Sequence, residues 1–157
     1  MLLDCLMEYL SRAVAVGLFS LGLMLTGCGS SKSPATIKVH GRITLNGEPV
    51  ANASIVFVPK ETHGTALKRP ATADSNEEGL YQLSSFEKED GALPGDYLVS
   101  IISYLVPPGG PERPGAAVLG TPRKYSDPTT SELTATVPPN TKGPLELNFD
   151  LKGKANR

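Results

Sequence analysis

The chain has 157 residues, a length that fits one ordinary domain with a short appendage. It carries 15 Lys and Arg against 16 Asp and Glu, a formal net charge of −1 with no basic stripe, which excludes a charge-built nucleic-acid surface. With 16 Gly, 14 Pro and no Trp, it reads as a turn-rich β domain, and 39% hydrophobic residues exclude a chain disordered throughout.

The apolar run Ala13–Leu25 is too short for a spanning helix, which needs about 20 apolar residues. It suits the apolar core of a signal peptide, roughly 7–15 residues long. The run closes on Leu25-Thr26-Gly27-Cys28, and the chain then changes to Gly29-Ser30-Ser31-Lys32-Ser33-Pro34. This arrangement resembles the lipobox of bacterial lipoproteins. The resemblance implies a diacylglycerol on the Cys28 thiol, cleavage before Cys28, and a signal peptide over residues 1–27. Residues 28–35 then read as a flexible tether, and the acyl chains hold the protein on a bilayer. The leader departs from the usual pattern, because Asp4 and Glu8 outnumber Arg12. A start at Met7 instead of Met1 still leaves Glu8 opposite Arg12. The competing reading is an N-terminal anchor helix or buried apolar helix, which Gly17, Gly22 and Gly27 weaken. Cys5 lies in the leader, so Cys28 has no disulfide partner. In lipoproteins of diderm bacteria, Asp after the lipidated cysteine resembles an inner-membrane retention signal. Gly29 stands there, so the expected location is the cell envelope, with a lean to the outer membrane.

From Thr36 the apolar period switches to two. Ile37, Val39, Ile43 and Leu45 share one face, and Lys38, His40, Arg42 and Thr44 the other, the pattern of a half-buried strand. Gly41 falls in the inward phase and predicts a bulge or a close backbone approach. Asn46-Gly47 is a strong hairpin-turn signal. A second strand, Ala53–Val58, stops at Pro59. Ala71–Asp74 and Leu80–Ser84 read as a hairpin through Ser75–Gly79, with Tyr81 and Leu83 inward. Tyr97–Tyr104 is apolar on both faces, so it is expected to be central, with the long loop Pro107–Pro122 covering its second face. Leu133–Val137 and Leu145–Leu151 alternate once more. About seven short strands with regular turns predict an all-β antiparallel sandwich over residues 36–151, followed by a tail at 152–157.

Four stretches carry a second resemblance: Gly41–Val50 with Ala53–Pro59, Gly79–Leu83, Pro94–Val99, and Lys124-Tyr125-Ser126-Asp127-Pro128. Together they resemble small bacterial lipoproteins with a transthyretin-like (carboxypeptidase regulatory-like) domain. These are turn and core residues, so they speak for fold and hardly for chemistry. The resemblance implies a prealbumin-like sandwich that acts as an adhesion, scaffold or accessory module, not an enzyme. No His-x-x-Glu is present: His40 is followed by Ile43, and His63 by Ala66. There is no Gly-x-Ser-x-Gly elbow either. The transthyretin-like ureide hydrolase ends in a Tyr-Arg-Gly-Ser signature, where this chain ends Lys154-Ala155-Asn156-Arg157.

Candidate ligand chemistry is sparse. Asp74, Asn76 and Glu78 before Gly79 resemble the first half of a calcium loop. The twelfth position is Ser85, not Glu, and the flanks read as strands, so the preferred reading is a polar turn with Gly79 at positive φ. No metal or other cofactor is expected. Lys38 and Asn148 invite comparison with isopeptide-forming domains, but parity turns both away from the core. Tyr104 and Tyr125 flank the proline loop and are the only candidate aromatic contacts for a polysaccharide, but the preferred reading is that they pack the loop onto the sheet. The expectation is therefore a non-enzymatic protein held to the membrane through diacylglycerol on Cys28. Its partner is expected to be another envelope protein, met through the proline loop and sheet edges, and the alternative is a glycan-binding module.

Overall fold

Alternation writes the first strand into the structure. In the computed structural model, which describes residues 34–60, 69–109 and 115–154, strand β1 (Val39–Leu45) buries Val39, Gly41 and Ile43 and turns His40, Arg42 and Thr44 outward. Asn46 and Gly47 both hold positive φ, 54° and 90°, as a two-residue type I′ turn requires. They return the chain as β2 (Glu48–Pro49). Then follow β3 (Ala53–Pro59), β4 (Ala71–Asp74), β5 (Leu80–Gln82), β6 (Gly95–Val106), β7 (Val118–Leu119), β8 (Thr134–Val137), β9 (Leu145–Glu146) and β10 (Phe149–Leu151). A 3-10 turn spans Arg123–Ser126, and no α-helix occurs among the described residues. The leader with its lipobox, Cys28, most of the tether, His63 and loop residues 110–114 lie outside the described residues.

The strands form two sheets. In the first, β1 is the hub and pairs with β2, β5, β9 and β10; in the second the order is β4-β3-β6-β7, with β8 also on β6. The described residues thus form an all-β sandwich rich in antiparallel pairs. Three features depart from the sequence reading. Strands β4 and β5 are not a hairpin: β4 pairs with β3 and β5 with β1, so the turn at 75–79 carries the chain between sheets. A single bridge, Thr72 to Ser84, joins the two where they part. Second, β1 runs parallel to β9 and β10, so the first sheet is mixed. Third, β7 extends the second sheet by pairing with the end of β6, instead of lying as a cover across it.

The core lies between the sheets. Tyr97 and Phe57 of the second sheet meet Phe149 and Tyr81 of the first. Phe57 stands 5.7 Å from Tyr97 and 6.0 Å, edge-on, from Phe149, and Tyr81 lies 6.4 Å from Phe149. Ile43, Ile55, Leu83, Val99, Ile101, Val137 and Leu151 fill the remainder. Full burial of each large apolar side chain stabilises the fold by about 1.5–3 kcal/mol. The two phenols keep their hydroxyls satisfied, Tyr97 donating to the Leu93 carbonyl and Tyr81 to that of Leu147, each at 2.6 Å. Burial pushes both phenol pKa values up, Tyr81 most.

Of the two expectations for Gly41, a bulge or a close backbone approach, the structure shows the close approach. A Cβ there would stand 1.8 Å from the Leu147 carbonyl oxygen. That carbonyl belongs to the break between β9 and β10, where Arg42 N–H turns to the side chain of Asn148 at 2.8 Å.

Candidate interaction surface

Strand β6, 12 residues, is the longest among the described residues, and it outruns the core. Its inner face is closed by Tyr97, Val99, Ile101 and Ser103, all buried. Ser103 N–H reaches the buried Thr121 hydroxyl at 3.2 Å, and Gly120 N–H donates to the Ser103 carbonyl at 2.8 Å. Beyond Ser103 the strand residues are exposed. Between Tyr104 and Val106 the register against β7 slips by one residue, the two-against-one count of a β-bulge. Alternation lapses there and three apolar residues in succession reach solvent: Tyr104 is 43% exposed, Leu105 59% and Val106 51%. Isolated exposed apolar residues are ordinary, whereas a contiguous run makes this strand end a candidate contact surface.

Beside this ridge is a shallow depression of about 300 Å³, lined by Ile102, Tyr104, Ala117 and Leu119, with Arg123 and Ser126 on its wall. The 3-10 turn that brings Arg123 there is fastened through its neighbour. Tyr125 is buried, its hydroxyl accepting Lys152 N–H at 3.0 Å, and the Lys124 ammonium lies 4.6 Å from its ring centre. Asp127 then closes the next turn. The Thr129 hydroxyl and then the Thr129 N–H hold its carboxyl below the usual carboxylate range.

The structure therefore separates the two tyrosines singled out by sequence. Tyr104 stands open on the outer face, while Tyr125 is a packing residue that ties the 3-10 turn to the end of β10, so the two present no joint aromatic platform. Leu105 and Val106 were missed, because the strand was read as ending at Tyr104. The signal was available as Tyr104-Leu105-Val106 running unbroken into Pro107-Pro108.

The remaining candidates lie elsewhere. Asn76 accepts the N–H groups of Glu78 and Leu80 at 3.0 and 2.8 Å, and Gly79 has φ of 74°, so the Asn76 oxygen is spent on the turn's own backbone. Among the described residues no group of three His, Cys, Asp or Glu is arranged to hold a metal. Lys38 and Asn148 are exposed, and Asn148 donates to Glu146. Larger open concavities, about 690 and 580 Å³, run along the outer face of the first sheet past His40, Gly41 and Leu80. Much of that face is hydrogen-bonded to itself. The Asp150 carboxylate accepts the Lys152 ammonium, the Thr44 hydroxyl and Gly47 N–H, which hold its carboxyl below the ordinary range, Lys152 first.

No family model matches the chain. No curated protein matches it either. Among solved structures, a 9R-lipoxygenase from Cyanothece PCC8801 aligns over 79% of this chain and 18% of its own, with TM-score 0.41 and 10% identity. The chain thus spans less than a fifth of that protein, and a likeness at this level carries no functional argument.

Proposed function

We propose that this protein is a non-enzymatic, lipid-anchored module of the cell envelope, a transthyretin-like sandwich that works by contacting another protein. The observation that carries the reading is the ridge Tyr104-Leu105-Val106, three apolar side chains in solvent at the end of a strand whose inner-face residues Tyr97, Val99 and Ile101 pack the core. The lipobox Leu25-Thr26-Gly27-Cys28 supports the anchor, and Gly29 supports the lean to the outer membrane. The transthyretin-like assignment is supported by two packed antiparallel-rich sheets and by the turn residues of the four matching stretches. An envelope polysaccharide is the second reading, favoured only by the open ring of Tyr104.

Two variants test the proposal. Cys28→Ser is expected to block processing and release the protein from the membrane fraction; unchanged fractionation and mature mass refute the anchor. Leu105→Glu is expected to remove a stoichiometric protein partner from the detergent-extracted, tagged complex without unfolding the domain. Retention on a polysaccharide array, abolished by Tyr104→Ala and with no protein partner, transfers the surface to the glycan reading.

A further inference from the structure

One covalent reaction that the turns of this chain invite needs no partner. The side-chain carbonyl carbon of Asn or Asp is open to the nitrogen of a following glycine, since no Cβ stands in the way. The sequence offers that pairing twice, at Asn46-Gly47 and at Asp90-Gly91. The structure treats the two differently.

Asp90-Gly91 is closed. Gly91 is buried, its N–H donates to the Leu83 carbonyl at 2.9 Å, and a Cβ on it would stand 1.9 Å from the Ile37 carbonyl oxygen. The Asp90 carboxylate accepts Ser85 N–H at 2.7 Å and Phe86 N–H at 3.0 Å, so neither reacting group can turn toward the other. A carboxylate is also a poorer target for a nucleophile than an amide.

Asn46-Gly47 is open. Both residues are exposed at the β1–β2 turn, and a Cβ on Gly47 would meet nothing within 4 Å. What holds them is a clasp of exposed hydrogen bonds. Gly47 N–H donates to Asp150 Oδ1 at 3.2 Å. Asn46 N–H donates to the Leu151 carbonyl at 2.8 Å, and the Asn46 side chain then carries the pairing past the end of β10. Its Nδ2 donates to the Gly153 carbonyl at 2.8 Å, and its Oδ1 accepts Gly153 N–H at 3.2 Å. The clasp aims the amide at Gly153 and the Gly47 nitrogen at Asp150, so the two meet only when it opens. Hydrogen bonds this exposed open locally, because water replaces them.

We propose that Asn46 is a site of spontaneous covalent modification by the Gly47 nitrogen in the opened turn, and that the modified side chain releases Gly153. The bond from Gly47 N to Asn46 Cγ forms, the Cγ–Nδ2 bond breaks, and the leaving nitrogen takes up the proton lost from Gly47 and departs as ammonia. Water then opens the cyclic imide at either carbonyl and leaves aspartate or isoaspartate; nothing is oxidised or reduced. Either product lacks the Nδ2 donor and sets a carboxylate against the Gly153 carbonyl, in a turn that already carries the Asp150 carboxylate on Gly47. Isoaspartate also leads the main chain through the side-chain methylene, which adds a backbone atom to a two-residue turn. The reaction is independent of the function proposed above.

The experiment incubates the detergent-extracted full-length protein, folded and, in parallel, unfolded in guanidinium chloride, and follows both by peptide mass spectrometry. The mass gain of –NH2 replaced by –OH is expected on the peptide holding Asn46 before those holding Asn52, Asn76 or Asn148. The folded chain is expected to react about tenfold more slowly than the unfolded chain, because it waits on a local opening. No gain at Asn46, or an equal gain at the other three, overturns the site. A folded rate equal to or above the unfolded one overturns the opened-turn step. Asn46→Asp, which makes the aspartate product directly, tests the release by amide exchange. Gly153 N–H is expected to lose protection while Lys152 N–H, held by the Tyr125 hydroxyl at 3.0 Å, keeps it. Unchanged protection at Gly153 overturns the release.

Discussion

Strand order breaks at two places, and the two breaks are handled in opposite ways. Between β9 and β10 the ladder lapses at Leu147 and Asn148, and the groups it frees are recaptured. Arg42 N–H finds the Asn148 side chain, and the Leu147 carbonyl finds the Tyr81 hydroxyl. At the bulge between β6 and β7 the side chains of Tyr104, Leu105 and Val106 are left in solvent. Buried polar groups carry a penalty of about 1–3 kcal/mol when unpaired, so an inward break must be repaired. An outward break of apolar side chains has no such requirement.

The sharpest way to break the comparison is at Gly41. Gly41→Ala places a methyl group 1.8 Å from the Leu147 oxygen, where neither backbone can yield without losing the β1 ladder. The expected loss is about 3 kcal/mol or more, among the largest single-residue effects. Urea unfolding followed by tyrosine fluorescence measures it, since the chain has no Trp. An unchanged midpoint means the break is not held as described.

Tyr81→Phe comes next. It removes the hydroxyl that satisfies the Leu147 carbonyl and keeps the ring against Phe149, for an expected cost of about 1–2 kcal/mol. Its pH signature separates it from a packing defect. Burial raises the Tyr81 pKa above its ordinary value of 10.0. The neutral phenol's contribution is therefore fully present below about pH 10 and is lost as pH climbs above it, where the unfolded chain gives up its proton first. The mutant should show a shallower alkaline fall in stability than wild type. An identical alkaline limb shows that Tyr81 is not the residue responsible.

Both breaks were partly legible in the sequence. Gly41 in the inward phase of an otherwise apolar face announced a close backbone approach, and Asn46-Gly47 announced its turn. Alternation placed Tyr81 and Leu83 inward, where both are buried, because period two depends only on which side is wet. Which sheet a strand joins does not follow from its period. The stretches 71–74 and 80–82 alternate equally well as a hairpin or as members of two sheets, and only their long-range partners β3 and β1 decide. Strand β7 has two residues inside a Pro/Gly-rich loop, and it exists because β6 outruns its other partners. At the candidate surface Tyr104 was legible as an aromatic beside a long loop. Packing is the preferred sequence reading of Tyr125 and it is buried; what the sequence does not show is its partner, Lys152, 27 residues away.

A smaller effect is expected at Asn148. Asn148→Ala frees an exposed Arg42 N–H that water can take up, so the cost should stay near about 0.5–1 kcal/mol, below that of Tyr81→Phe. If the two cost the same, solvent exposure is not what distinguishes the two recaptured groups.

The smallest effect on stability is expected at Leu105, and it bears most on function. With 59% of its surface in water, Leu105 contributes little to the core, so Leu105→Ser should move the unfolding free energy by no more than about 0.5 kcal/mol. The same substitution removes apolar area from the centre of the ridge, and it should cost binding far more than folding. A stability loss of about 2 kcal/mol or more would show that the ridge packs against the sandwich in solution and that the bulge is repaired after all. A neutral unfolding curve with binding lost sets this break apart from the one at Leu147: at one site a local irregularity is enclosed to keep the fold, and at the other it is left open to meet a partner.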